Sequence, residues 1–274
     1  MRGSTGPGVT SPARRLLDGL DGLVADLDGV LYRGRTPIQN AVSAVHELRE
    51  RGVRIVFCTN NSATPRAAYV EKLAGMGVDV DPEDLVNSSE VAARALATRG
   101  LAGKRAVVLG GPGVREAVER ARLVLVGPDE DEADVLVMGR DKSFDFALLD
   151  RVARIVRNGA LFIATNDDAA YPSEEGVEPG AGALVAAVQV ASGRTPEVFG
   201  KPHRPMMEAA AARFPPGSRL AIVGDQPGTD LAGGRLMGWP TILVLSGVMD
   251  AAGAARIDPP PDLVIDDLSG LLEP

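Results

Sequence analysis

The chain has 274 residues, a formal net charge of −8, 45% hydrophobic and 24% charged residues, and one cysteine. The acidic balance argues against a broad footprint on DNA or RNA, which needs clustered Lys and Arg, but leaves a small anionic ligand open. Cys58 alone excludes an internal disulfide. With no apolar run of membrane-spanning length and no signal-like core, the expectation is a cytoplasmic protein with no membrane or nucleic-acid partner.

The opening MRGSTGPGVTSPARR is rich in Gly, Ser, Thr and Pro, so residues 1–20 read as a mobile tail. The apolar run ending in VAD at 24–26 reads as a strand. Ile38, Ala41, Val42, Val45 and Leu48 then recur at helical spacing, closed by Gly52, and VRIVFC at 53–58 reads as the next strand. Between about 100 and 195 comes a second alternation. RAVVLG, RLVLVG, DVLVMG and ALFIAT are strands, and Val114–Arg122 and Phe144–Arg157 are helical runs. This is enough for an inserted α/β unit, with one larger sheet as the alternative. LAIV at 220–223 and TILVL at 241–245 are further strands around a helical stretch from Thr229 to Met237. Strands alternating with helices favour a parallel α/β sheet, in which ligands sit beyond the carboxyl ends of the strands.

Four short motifs stand at such ends. In LVADLDGV, Asp26 and Asp28 are two residues apart. Carboxylates ~5 Å apart repel by ~3 kcal/mol at an effective dielectric of ~20, which favours a metal or a shared proton. In CTNNS, Thr59 and Asn60 leave a strand for a turn before a helix, a pattern that suits phosphate oxygens and equally suits a helix cap. In FGKPHR, Lys201 is held beside Pro202 and could serve as a point charge for a phosphoryl group. In GDQPGTD, Asp225 follows a strand, and Asp230 stands at the next helix start. Strand-end acids, a lysine and a hydroxyl-amide turn make a hard-metal, oxyanion-binding set; no His or Cys cluster suggests zinc.

In this order, DLDGVLYRG, TNNS, GKP and GDQPGTD resemble the four motifs of haloacid dehalogenase superfamily phosphatases. DVLVMGRDKSF, FIATNDDAAYP and PGAGAL resemble the cap of their NagD-like, 4-nitrophenylphosphatase-like branch. The resemblance implies a Rossmann-like, doubly wound parallel core at 21–99 and 196–274, with an α/β cap inserted at 100–195. It implies Mg2+-dependent hydrolysis of small phosphomonoesters such as nucleotides, glycerol phosphate or sugar phosphates. Asp26 would attack phosphorus, and Asp28 would protonate the leaving alcohol and then activate water. Mg2+ would be held by the Asp26 carboxylate, the Asp28 carbonyl and the Asp225 carboxylate. Thr59, Asn60 and Lys201 would hold the phosphoryl group. The partners implied are a small phosphorylated metabolite and a second copy of the chain through the cap.

One departure from the family pattern is Gly228, where related sequences often carry a further acid; it bears on the outer support of the metal. Asp230 is left between that support and a helix start. Asn166, Asp168 and Tyr171 follow a cap strand in a polar loop, able to read substrate or simply to staple the loop. Cys58 reads as a small buried hydrophobe, and His203 and His46 take no catalytic role. Two other functions remain: a phosphotransferase or mutase delivering the phosphoryl group to a hydroxyl, and a metabolite-binding module without turnover.

Overall fold

The computed structural model describes residues 11–173 and 176–273. They divide into two compact units. Residues up to Ile55 join those from Phe214 onward in the first, and Val56–Arg213 form the second, one uninterrupted segment inserted into the first along the chain.

The first unit opens with α1 (Pro12–Leu17). Ser11 Oγ accepts from Arg14 N at 3.2 Å and Pro12 occupies the first turn, both favourable at a helix start. Ala13 and Leu17 are buried, so the end of the stretch read as a tail is helical; residues 1–10 lie outside the described residues. The small polar residues that dominate the composition there precede the helix, which the buried pair holds in place. β1 (Gly22–Ala25) is buried along its whole length, and a short hairpin of β2 (Tyr32–Arg33) and β3 (Thr36–Pro37) follows. In α2 (Gln39–Glu50), Ala41, Val42, Ala44, Val45 and Leu48 are buried along one face, as the 3.6-residue period requires. Gly52 ends it with φ +84°.

The chain crosses into the second unit within β4 (Arg54–Thr59). There α3 (Arg66–Gly75) leads to β5 (Leu85–Asn87), which pairs in parallel with the end of β4. Next come α4 (Ser88–Thr98), β6 (Arg105–Leu109), α5 (Pro112–Arg120), β7 (Val124–Val126) and β8 (Val135–Met138). They are followed by α6 (Phe146–Arg157), β9 (Leu161–Ala164), the hairpin β10 (Ala170–Ser173) and β11 (Gly176–Pro179), α7 (Ala181–Ser192), β12 (Glu197–Val198) and α8 (Arg204–Ala211). A five-stranded parallel sheet runs in the order β12-β9-β8-β6-β7.

Its strands alternate strictly. Ala106, Val108, Val135 and Val137 pack with Ala93, Leu96, Val114 and Val118 of α4 and α5. Val107, Leu109, Leu136 and Met138 pack with Val152, Val156, Val185 and Val188 of α6 and α7. The period of two thus sends alternate residues to opposite faces, each covered by a helix pair. All four expected strands of 100–195 form. α6 begins two residues after the apolar pattern because Asp145 Oδ1 accepts from Leu148 N at 2.8 Å and caps it there.

Back in the first unit, β13 (Leu220–Gly224) is followed by a π-helical turn (Pro227–Leu231), α9 (Ala232–Met237), β14 (Thr241–Val244), α10 (Ala251–Ala254) and β15 (Leu263–Ile265). The helix expected from Thr229 is therefore a wider turn in its first part. These strands and β1 run in the order β15-β14-β13-β1, all parallel. No helix among the described residues is long and apolar enough to cross a membrane.

Leu136 lies at the centre of the α6/α7 face with no exposed surface. Leu136→Ala is expected to cost about 2–5 kcal/mol, read as a fall in the urea midpoint of the unfolding step that involves this unit.

Candidate active site

In the first unit, the acids stand where parallel strands run out. Asp26 follows β1, and Asp225 follows β13, the strand paired with β1 through Ala25 and Val223. One oxygen from each of Asp26, Asp225 and Asp230 lies within 4.8 Å of the others. Their relative exposures are 7%, 2% and 0%. At an effective dielectric of ~20, two charges at that spacing repel by ~3–4 kcal/mol. The backbone opposes part of this: Asp225 Oδ2 accepts from Val248 N at 2.8 Å and Asp230 Oδ2 from Gln226 N at 3.1 Å.

Asp230 therefore both braces the start of the π-helical turn and faces the other two acids. The approach is tight enough to demand glycine on both sides of Asp225. A Cβ on Gly29 would lie 2.3 Å from Asp225 Oδ2, and one on Gly247 only 1.9 Å away. Ser246 Oγ donates to the Gly29 carbonyl at 2.6 Å and ties the two loops together. Three buried carboxylates with no His or Cys among them form a hard-oxygen set that fits a divalent cation such as Mg2+ or Ca2+. The Asp28 carboxylate is not one of this group. Asp28 sits half-buried in the turn after β1, bridged to Tyr32.

In the second unit, the end of β4 meets the loops after β9 and β12. Thr59 Oγ1 accepts from Asn61 N and Asn61 Oδ1 from Ala63 N, both at 3.1 Å, so Asn61 builds the turn. Ser62 takes a hydrogen bond from Thr165 Oγ1 at 2.8 Å. Asn60 is buried, and its carbonyl accepts from Ser88 Oγ at 2.9 Å. Its side-chain Oδ1 accepts from Lys201 N at 2.6 Å, while Nδ2 donates to the Lys201 carbonyl at 2.9 Å. The same Nδ2 reaches both Asp168 oxygens, at 3.0 and 3.1 Å. Expected to hold phosphoryl oxygens, the Asn60 amide is instead spent on the main chain of Lys201 and on Asp168.

Asn166 Nδ2 also donates to Asp168, at 2.8 Å. Of the three polar-loop residues, Asn166 and Asp168 thus join Asn60 and Lys201, whereas Tyr171 lies in β10 beneath Arg140, whose guanidinium is 4.3 Å from the ring centre. Lys201 is 2% exposed. The amide clamp had no signal in motif spacing; its trace is Gly200, where a Cβ would lie 2.7 Å from Asn60 Oδ1. Cys58 is buried.

His203 is half-exposed and its Nε2 lies 2.8 Å from Asp167 Oδ2. That hydrogen bond raises the imidazole pKa above its ordinary value; burial opposes the rise, and the charges of Asp167 and Asp168 add to it. A raised folded-state pKa means the pair stabilises fully below the unfolded value near ~6.5 and fades as pH rises through the folded one. His203→Gln is therefore expected to destabilise more at about pH 6 than at about pH 8.5, within the ~0–1 kcal/mol of solvent-screened pairs. Paired urea titrations at the two pH values check this.

Known proteins resemble this chain in sequence and fold. Residues 23–123 match the family model described as haloacid dehalogenase-like hydrolase, and residues 198–271 match a HAD-hydrolase-like model. The chain is 35% identical over 239 residues to D-glycerol 3-phosphate phosphatase of Mycobacterium tuberculosis, covering 87% of this chain and 67% of that one. It is 34% identical over 245 residues to acid sugar phosphatase of Staphylococcus aureus, covering 89% and 93%. Among solved structures, p-nitrophenyl phosphatase from Archaeoglobus fulgidus superposes with a TM-score of 0.84 at 32% identity over 92% of this chain and 98% of that one. NagD from Escherichia coli superposes at 0.80 and 28% identity, over 91% and 97%. The parallel α/β architecture, the ordered motifs and these likenesses place the chain in the haloacid dehalogenase-like hydrolase family, as an enzyme of its NagD-like phosphatase branch.

Proposed function

We propose that the protein hydrolyses small phosphomonoesters with Mg2+ through a phosphoaspartate on Asp26. The observation that carries this reading is the convergence of Asp26, Asp225 and Asp230, three buried acids whose oxygens fit a hard divalent cation. When bound, such a cation supplies charge neutralisation to the phosphoryl oxygens.

A carboxylate oxygen of Asp26 attacks phosphorus as the ester oxygen departs, so one difficult displacement becomes two. Asp28, whose carboxylate is outside the acid group, donates the proton that the leaving alcohol needs and takes one from the water that cleaves the phosphoaspartate. Asp225 and Asp26 serve as carboxylate ligands, the Asp28 main-chain carbonyl completes the protein's share, and Asp230 braces the set. Thr59 and Lys201 supply a hydroxyl and a positive charge to the equatorial oxygens, where positioning and neutralisation do most of the catalytic work.

The segment 100–195 is the substrate-selecting cap in this reading, with glycerol phosphate and sugar phosphates as the first esters to try. Self-association through the cap is what the resemblance implies, and light scattering tests it; a cytoplasmic setting, read from the sequence composition, belongs to the same proposal.

With p-nitrophenyl phosphate, release is expected with Mg2+, to be abolished by EDTA, and to fall at least about 10³-fold in Asp26→Asn, since the nucleophile itself is lost. Turnover persisting in Asp26→Asn would overturn the assignment. Tight metabolite binding with no release from any ester would favour a binding module. At Gly228 a Cβ meets nothing within 4 Å. Gly228→Asp should therefore be accepted without steric strain and lower the Mg2+ concentration giving half-maximal activity, about 10-fold if it restores outer support for the metal.

A further inference from the structure

We propose that Asp168, in the loop after β9, is a positioning residue for phosphoryl transfer: it locks the Asn60 amide in the one orientation that clamps the main chain of Lys201. The inference rests on the reading that Lys201 neutralises the phosphoryl group.

An amide side chain has two faces of nearly equal shape and opposite hydrogen-bonding character. With Oδ1 on Lys201 N and Nδ2 on the Lys201 carbonyl, Asn60 pairs with both main-chain groups of that residue. Turned by 180°, it would set oxygen against oxygen and N–H against N–H. Lys201 alone opposes that flip with two contacts, and Asp168 adds a third constraint of a different kind. An ionised carboxylate only accepts, and it faces Nδ2 with both oxygens, at 3.0 and 3.1 Å. A flipped amide would present Oδ1 to that charge. Asn166 donates to the same carboxylate at 2.8 Å, so two independent amides agree on an acceptor-only group there.

The main chain that carries this carboxylate is itself held from behind. The Asp168 carbonyl accepts from Gly182 N at 2.9 Å, and a Cβ on Gly180 would lie 2.0 Å from that oxygen. PGAGAL therefore seats the loop, the loop orients Asn60, and Asn60 fixes the segment from which the buried Lys201 side chain springs. A displacement of about 1 Å in a group that must meet a transferring phosphoryl can cost about 10²-fold in rate. A residue two contacts away can thus matter without touching substrate.

Asp168→Asn retains shape but must offer an N–H to one of two donors. Asp168→Ser removes the carboxylate with a smaller side chain, and both variants are carried through the same measurements so that neither one's folding decides the matter. Steady-state kinetics use p-nitrophenyl phosphate and glycerol 3-phosphate with Mg2+, and inorganic phosphate binding is measured by calorimetry.

The expected result is a loss of about 10–100-fold in kcat/KM, the scale seen when a supporting residue is removed from a reactive centre. It should be equal for the two esters because the phosphoryl group is common to both, and accompanied by weaker inorganic phosphate binding. A loss confined to one ester means that Asp168 reads the leaving group, which overturns the proposal. So does unchanged phosphate affinity, or wild-type kinetics in both variants. Lys201→Ala separates the two levels: wild-type phosphate binding and turnover there would overturn the underlying reading of Lys201, and the proposal with it.

Discussion

Mutual repulsion among buried carboxylates is the constraint on which much of the first unit depends. Asp26, Asp225 and Asp230 bring three potential negative charges within 4.8 Å, at several kcal/mol per pair if all are ionised. The chain offsets this with geometry. Parallel strands deliver two of the acids to adjacent ends, glycines let the backbone press against Asp225, and the amides of Gln226 and Val248 point inward. An apolar residue at any of these three positions would relieve the strain and remove the reason for the surrounding loops to be shaped as they are.

The second unit solves a complementary problem, namely how to keep a lysine buried with its main chain fixed. Lys201 is almost wholly enclosed, where an ammonium is costly unless well partnered. Its main chain is held by one amide that is itself held by a carboxylate from a distant loop. Electrostatics organises both units: acids gathered where a cation fits in one, and amide donors converging on the Asp168 carboxylate in the other.

Much of this was legible in the amino-acid sequence, for identifiable reasons. Strands such as RAVVLG and LAIV are apolar runs closed by glycine, and Asp26 and Asp225 stand just beyond such runs, so period and punctuation located the strand ends that carry them. α1 was obscured because two buried residues in a Gly- and Ser-rich stretch carry little statistical weight. Residues 229–231, read as the start of ordinary helix, belong to the π-helical turn at 227–231, whose entry is set by the hydrogen bond from Gln226 N to Asp230 Oδ2, a contact that leaves no 3.6-residue signal. The work of Asn60 was the least visible: its residue type suits a phosphate ligand and a main-chain clamp equally well, and only the positions of Lys201 and Asp168 decide between them.

The clamp also has a consequence for how the protein comes into being. Asn60 and Lys201 are 141 residues apart in sequence, and Asn60 and Asp168 are 108 apart. Closing so long a loop from an open chain carries an entropic cost that its few hydrogen bonds would not offset. Most of the intervening segment forms its own sheet and two helical layers, which brings β9 and β12 side by side and shortens the effective loop before the clamp is made. On a ribosome, residues 56–62 must therefore wait, with their polar groups solvated, until the inserted segment has emerged and folded. The clamp on the main chain of Lys201 is made only once residue 201 has followed the segment between.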